Sequence, residues 1–191
     1  MVGNISNYNS IDVLRCFLRL GSNMGRQELA KELELGEGTI KTVLGILKSK
    51  NLISSAKKGH FLSRKGSHEL DNIIKSISAP KAFTSKEIYP EYKKIGVHVK
   101  NANPLGQIYR LRDIAVKNGA EGAIILKFEG RLYAPEAGIR QDFEKLEEQF
   151  DFRKGDVLIV GFSNDKRGAE NGTLSVAVEL SSALKKFIKK L

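Results

Sequence analysis

The sequence predicts a two-domain protein of mixed α+β or α/β class. A small helical domain with a β-hairpin spans residues 1–80, and a small α/β sandwich domain spans residues 81–191. Three observations predict this. The 191 residues are 41% hydrophobic and 28% charged, the balance of a globular chain long enough to bury one large core or two small ones. As far as Ile77 the apolar positions recur at helical spacing in short segments around one hairpin, whereas from Ile95 onward strands alternate with longer helices. Between these regions Ser78 to Lys86 has no sustained apolar period and contains Pro80, the composition of a boundary.

In the first half, Ser10 is placed to cap a helix whose Ile11, Val13, Leu14, Phe17, Leu18 and Leu20 make a broad apolar face, ended by Gly21. Cys16 lies within it, with no His or acid at the spacing of a nucleophile or ligand site, so it reads as a packed side chain. A second helix over 25–33 contributes Leu29, Ala30 and Leu33. The turn Glu34-Leu35-Gly36-Glu37 leads into a third, whose Ile40, Val43, Leu44 and Leu47 fall at i, i+3, i+4 and i+7. With that stripe buried, Lys41, Thr42, Gly45 and Lys48 share the opposite side: two cations, a hydroxyl and a residue that permits close backbone approach, a face suited to a DNA groove. At the start of the same helix the amides of Gly38 and Thr39 are free to hold a phosphate. Residues 52–56 and 60–63 pair as strands around Lys57-Lys58-Gly59, with the lysines at the tip. Ser67 then precedes a helix with Leu70, Ile73, Ile74 and Ile77 on its core side.

Charge supports a polyanionic partner. The chain carries 32 Lys and Arg against 22 Asp and Glu, a net +10, with a pI near 9.6. From Gly38 to His68 there are Lys41, Lys48, Lys50, Lys57, Lys58, Arg64, Lys65 and two histidines, and no acid. A run of this kind also fits a merely solvated face, but here it coincides with the third helix and the hairpin tip. The single cysteine excludes an internal disulfide and a Cys-rich metal site, and fits a reducing cytoplasm. No apolar run approaches the roughly 18–20 residues that span a bilayer, and the first ten residues lack the regions of a signal peptide, so a cytoplasmic protein away from membranes is expected.

The stretches Arg26-Gln27-Glu28-Leu29-Ala30, Leu35 to Leu44, Leu47 to Ile53 and Leu62-Ser63-Arg64-Lys65-Gly66 together resemble the winged helix-turn-helix of prokaryotic transcription regulators. The resemblance implies that the third helix enters the major groove, with Lys41, Thr42, Gly45 and Lys48 on the base side and Lys57, Lys58 and His60 on the phosphate side. The helix has no Arg, the commonest reader of guanine, which leaves the source of sequence specificity open. The whole chain is also similar to small archaeal proteins that join a winged helix to an α/β domain of unassigned function, through Leu111-Arg112-Asp113, Gly119 to Ala123 and Gly155-Asp156-Val157.

In the second half, residues 95–99 alternate as a strand and Pro104 to Asn118 read as a helix with Ile108, Leu111, Ile114 and Ala115 inward. Residues 122–128 and 131–133 form a hairpin, a short charged helix follows over about 141–150, and residues 156–162 make a strand apolar on both faces before a long final helix. Open α/β sheets bind ligands beyond the carboxyl ends of their strands, so Ser163, Asn164, Asp165, Lys166 and Arg167 are a candidate site for a small anionic metabolite. Asn164 or Asp165 serving only as a helix cap is the competing reading. No Walker loop, dinucleotide fingerprint, nucleophile elbow or zinc-protease motif is present, and His98 has no nucleophile near it in sequence. The acids Glu144, Glu147 and Glu148 read as a solvated face, and the lysines at 185, 186, 189 and 190 oppose a helix dipole.

The expectation is therefore a non-enzymatic DNA-binding regulator that requires no cofactor or metal. It would bind double-stranded DNA as a homodimer, with a C-terminal domain that senses a ligand or dimerises. The alternatives are a protein- or RNA-binding adaptor and an enzyme with a DNA-binding appendage.

Overall fold

The computed structural model describes residues 8–57, 59–85, 88–136 and 143–191. The chain divides into two compact units, Met1–Asn72 with Phe187–Leu191, and Ile73–Lys186. The division comes earlier than the aperiodic stretch implied because backbone pairing claims that stretch. Ile77 bridges Val99, the Ser78 amide donates to the His98 carbonyl at 2.8 Å, and Lys81–Phe83 is a strand.

The first unit is built from α1 (Ser10–Arg19), α2 (Arg26–Leu33), α3 (Glu37–Ser49), the hairpin β1 (Ile53–Ala56) and β2 (Gly59–Leu62), and α4 (Arg64–Ile74), which runs on into the second unit. Asn9, not Ser10, caps α1: its side-chain oxygen accepts from Ile11 N at 2.9 Å and Asp12 N at 3.0 Å, while Asp12 accepts from Asn9 N. Ser10 is already the first helical residue, one position too late to cap. Below that cap, Asp12 and Arg15 form a fully buried ion pair at 3.0 Å. The i, i+3, i+4, i+7 stripe of α3 is buried as expected, and Phe187 lies against Phe17 with ring centroids 4.6 Å apart.

Helix α4 begins three residues before Ser67, because the Ser63 hydroxyl accepts from Gly66 N at 3.0 Å and starts it. A Cβ on Gly66 would collide with the Leu52 carbonyl oxygen, so this glycine permits α4 to seat on the chain entering β1. Of the expected core side, Ile73 and Ile77 are buried whereas Ile74 is 44% exposed.

The second unit is a five-stranded sheet in the order β3 (Lys81–Phe83), β4 (Lys93–Val99), β7 (Val157–Ser163), β5 (Gly122–Phe128), β6 (Leu132–Tyr133). Every pairing is antiparallel, which makes the unit α+β rather than a parallel α/β layer. Strand-helix-strand alternation misleads here for an identifiable reason. β4, α5 (Ile108–Lys117) and β5 form a crossover unit, but β7 inserts antiparallel between the two strands, with His98 opposite Leu158 and Ile125 opposite Ile159.

Helices α5 and α7 (Lys166–Leu180) pack on the sheet. Another core gathers Leu126, Leu132, Phe143, Leu146, Leu158 and Val160 with Phe150 and Phe152, and includes the short α6 (Glu144–Glu147). All of β7 is buried, as its uninterrupted apolar run requires. Residues 104–107 are not helical, since Gly106 takes φ +59° and α5 starts only after Gln107. Gln141, where the short charged helix was expected to begin, lies outside the described residues, and the long final helix is two, α7 and α8 (Ser182–Lys190), parted at Ser181.

Candidate nucleic-acid interface

Burial of Ile40, Val43, Leu44 and Leu47 fixes the rotation of α3, and the opposite side follows from it. Gly38, Lys41, Thr42, Gly45, Lys48 and Ser49 are all exposed, at successive spacings of three and four, so they form one continuous stripe along the helix. Thr42 Oγ1 donates to the Gly38 carbonyl at 3.2 Å and Ser49 Oγ to the Ile46 carbonyl at 2.8 Å. A Cβ at Gly38 or Gly45 would meet nothing within 4 Å. The N-cap is Gly36, which offers no side-chain acceptor, so the first-turn amides of Gly38 and half-buried Thr39 remain open to a partner from outside the helix. The sole acid of α3, Glu37, pairs with Arg26 at 3.1 Å at the helix start. Ser49 was missed in the sequence; counting the stripe one step beyond Gly45 finds it.

The hairpin register sets Ile53 opposite Leu62 and Ala56 opposite Gly59, with Lys57 in the turn that follows β1. Lys57 is exposed; Lys58 lies outside the described residues. Gly59 has φ +132°, and a Cβ there would sit 2.6 Å from the Met24 carbonyl oxygen, so glycine is needed for both conformation and approach.

His60 is a half-buried strand residue whose backbone exchanges two hydrogen bonds with Met24. Its Nδ1 shares a 2.7 Å hydrogen bond with the Ser55 hydroxyl. Burial, then the charges of Lys48 and Arg26, hold its pKa below the ordinary histidine value, so at neutral pH it offers a hydrogen bond and no charge. Phe61, next along β2, is 38% exposed.

In the second unit the loop after β7 is occupied by its own contacts. Asp165 caps α7 by accepting from Gly168 N at 2.6 Å, Asn164 donates to Glu121 at 3.0 Å, and Ser163 donates to the Gly119 carbonyl at 3.3 Å. Lys166 and Arg167 are half-buried. Because the sheet is antiparallel, the rule that singled out this loop has no purchase here.

His98 does have a partner, 58 positions further along the chain. Its Nε2 lies 2.8 Å from Asp156 Oδ2, and both residues are buried. The same carboxylate accepts from Arg153 N at 2.8 Å and Asn101 N at 3.0 Å. Burial, only partly offset by Asp156, holds the His98 pKa below its ordinary value. At Asp156 burial acts the other way, but the amides of Arg153 and Asn101 and the imidazole outweigh it and keep the carboxyl below its ordinary range. Neutral His98 thus donates to an ionised Asp156, pinning two loops to the end of β4. Cys16 is fully buried, which pushes its thiol up to about 12. Among the described residues no group of three His, Cys, Asp or Glu is arranged to hold a metal, and no helix is long and apolar enough to cross a membrane.

Two family descriptions match the sequence. Residues 11–68 match "PH0730-like, N-terminal domain", and residues 91–180 match a "Domain of unknown function (DUF4443)". Among solved structures, the hypothetical protein PH0730 from Pyrococcus horikoshii OT3 is 27% identical, with a TM-score of 0.80 over 97% of this chain and 100% of that one. The structure of S. agalactiae BusR in complex with its busAB-promotor DNA aligns over 87% of this chain and 94% of that one, at 14% identity and a TM-score of 0.25, too low to bear on fold or function. None of the curated proteins is significantly similar to the chain.

Proposed function

We propose that this protein is a DNA-binding transcription regulator whose α1 to α4 and hairpin act as a winged helix-turn-helix. In this reading α3 lies in the major groove, where Lys41, Thr42, Gly45, Lys48 and Ser49 face base edges and the amides of Gly38 and Thr39 hold a phosphate. The hairpin follows the backbone through Lys57, with His60 donating a neutral hydrogen bond. The observation that carries the reading is the α3 stripe: continuous, exposed, free of acid, and holding two glycines for which the fold has no steric need. The second unit is assigned dimerisation or ligand sensing, and no catalysis. A two-fold dimer would present two such helices to a palindromic site, and a ligand would regulate by favouring one spacing of them.

Fluorescence anisotropy on duplex DNA from upstream of the gene and on a scrambled duplex, over a salt series, tests the assignment. The upstream duplex is expected to bind at least tenfold tighter, with selectivity lost in Lys41→Ala/Lys48→Ala. In Lys57→Ala the salt slope should fall by about 1 for the phosphate contact removed. Equal binding of both duplexes, untouched by these changes, would make the helices a platform for protein or RNA instead. Sedimentation of the free protein checks the dimer.

A further inference from the structure

In the second unit, an open cleft of about 280 Å³ is lined by Lys75, Lys100, Asn101, Asp151, Arg153 and Asp156. Three of the six lining residues are cationic and two are acidic. Elsewhere in the unit Arg112 pairs with Glu136, Lys127 and Lys154 with Glu129, and Lys185 with Glu179, at 2.7 to 3.7 Å. Lys75, Lys100 and Arg153 form no ion pair with any described residue, although two carboxylates line the same cleft.

One of those carboxylates is already committed. Both oxygens of Asp156 are taken by His98, Arg153 N and Asn101 N, so it holds the backbone under two lining residues in place and has little left for a neighbouring cation. Asn101 itself takes φ +47°, a conformation this hydrogen bond helps to hold. The cations of Lys100 and Arg153 therefore project from a fixed frame, which lowers the entropy lost when a ligand orders them. The other carboxylate, Asp151, is exposed and supplies only acceptors.

We propose that this cleft binds a small phosphomonoester bearing hydroxyl groups, such as a three- to five-carbon sugar or polyol phosphate. The phosphate meets Lys75, Lys100 and Arg153, and a ligand hydroxyl donates to Asp151. Three cations around one pocket suit a dianion, whose bonds to guanidinium and ammonium are charge-assisted. The acid at the rim disfavours a bare anion and favours one that carries its own donors. The volume sits at the lower edge of the roughly 300–1,000 Å³ of small-molecule sites, which limits the ligand to a few carbons. The site is separate from the loop after β7 and does not depend on DNA binding, so it stands or falls independently of that reading.

Isothermal titration calorimetry of the full chain with glycerol 3-phosphate, ribose 5-phosphate and inorganic phosphate tests it. Saturable binding of at least one organic phosphate is expected, at least fivefold tighter than inorganic phosphate. Lys100→Gln and Arg153→Gln should each weaken it at least tenfold, and Lys154→Gln should leave it unchanged, because that lysine carries the same charge but lies outside the cleft lining and pairs with Glu129. The proposal is overturned if neither organic phosphate binds, if inorganic phosphate binds as tightly, or if Lys154→Gln weakens binding as much as the cleft variants, which would mark a response to net charge alone.

Discussion

The exposed stripe of α3 and the turn from β7 into α7 are written in the same residue types, glycine, hydroxyl and cation, and the structure uses them in opposite ways. At the turn, Ser163, Asn164 and Asp165 are bonded within the protein, and Gly168 is small because a Cβ there would strike the Gly119 carbonyl oxygen. On α3, Gly38 and Gly45 face open space, and Lys41 and Lys48 point outward. A glycine inside a helix costs roughly 0.5–1 kcal/mol relative to alanine. On α3 no neighbour requires that cost, which is what the proposed DNA-facing role would account for.

The contrast is sharpest in stability. Gly168→Ala forces a methyl group onto backbone and should destabilise the protein by about 1–3 kcal/mol, read from denaturant unfolding. The latch beneath the cleft comes next: Asp156→Asn weakens charge-assisted hydrogen bonds at a buried position and should cost about 1.5–3 kcal/mol by the same measurement. This latch also sets a pH dependence. His98 and Asp156 both have lowered folded-state pKa values, so below their ordinary values of 6.5 and 3.8 the unfolded chain binds protons that the folded one resists. Their stabilisation is present in full above those values and is lost as pH falls through the folded ones. As pH falls, wild-type stability should decline in two phases, the first starting near pH 6.5, and His98→Asn should shrink that first phase to the part that His60, whose pKa is also lowered, contributes. A smaller effect concerns Cys16, whose buried, protonated thiol should react with a thiol reagent only as fast as the first unit opens.

Periodicity made the first unit legible. The α3 stripe, the hairpin and the presence of each helix follow from apolar spacing and turn residues, because these are decided locally along the chain. Caps were less legible: Asn9 and Ser10 are both good cap residues, and only the Asp12 box decides between them. The second unit was read element by element but not in topology, since the insertion of β7 between β4 and β5 is a long-range pairing that leaves no local pattern. The loss carried over to the site, where a rule for parallel sheets pointed to the loop after β7. The His98–Asp156 pair joins residues 58 positions apart, the cleft above it draws on three separate stretches of chain, and only the folded chain brings them together.

Whether the open stripe of α3 reads DNA is decided by Gly45→Glu, with Val116→Glu on α5 as a control of equal charge at a 52% exposed site. Glutamate is a better helix former than glycine and meets no neighbour at position 45, so thermal stability should be unchanged or slightly raised. Gly45→Glu should lose at least tenfold in affinity for the upstream duplex while Val116→Glu retains it. Undiminished binding by Gly45→Glu, in a protein that melts as the wild type does, would contradict a DNA-reading role for the stripe.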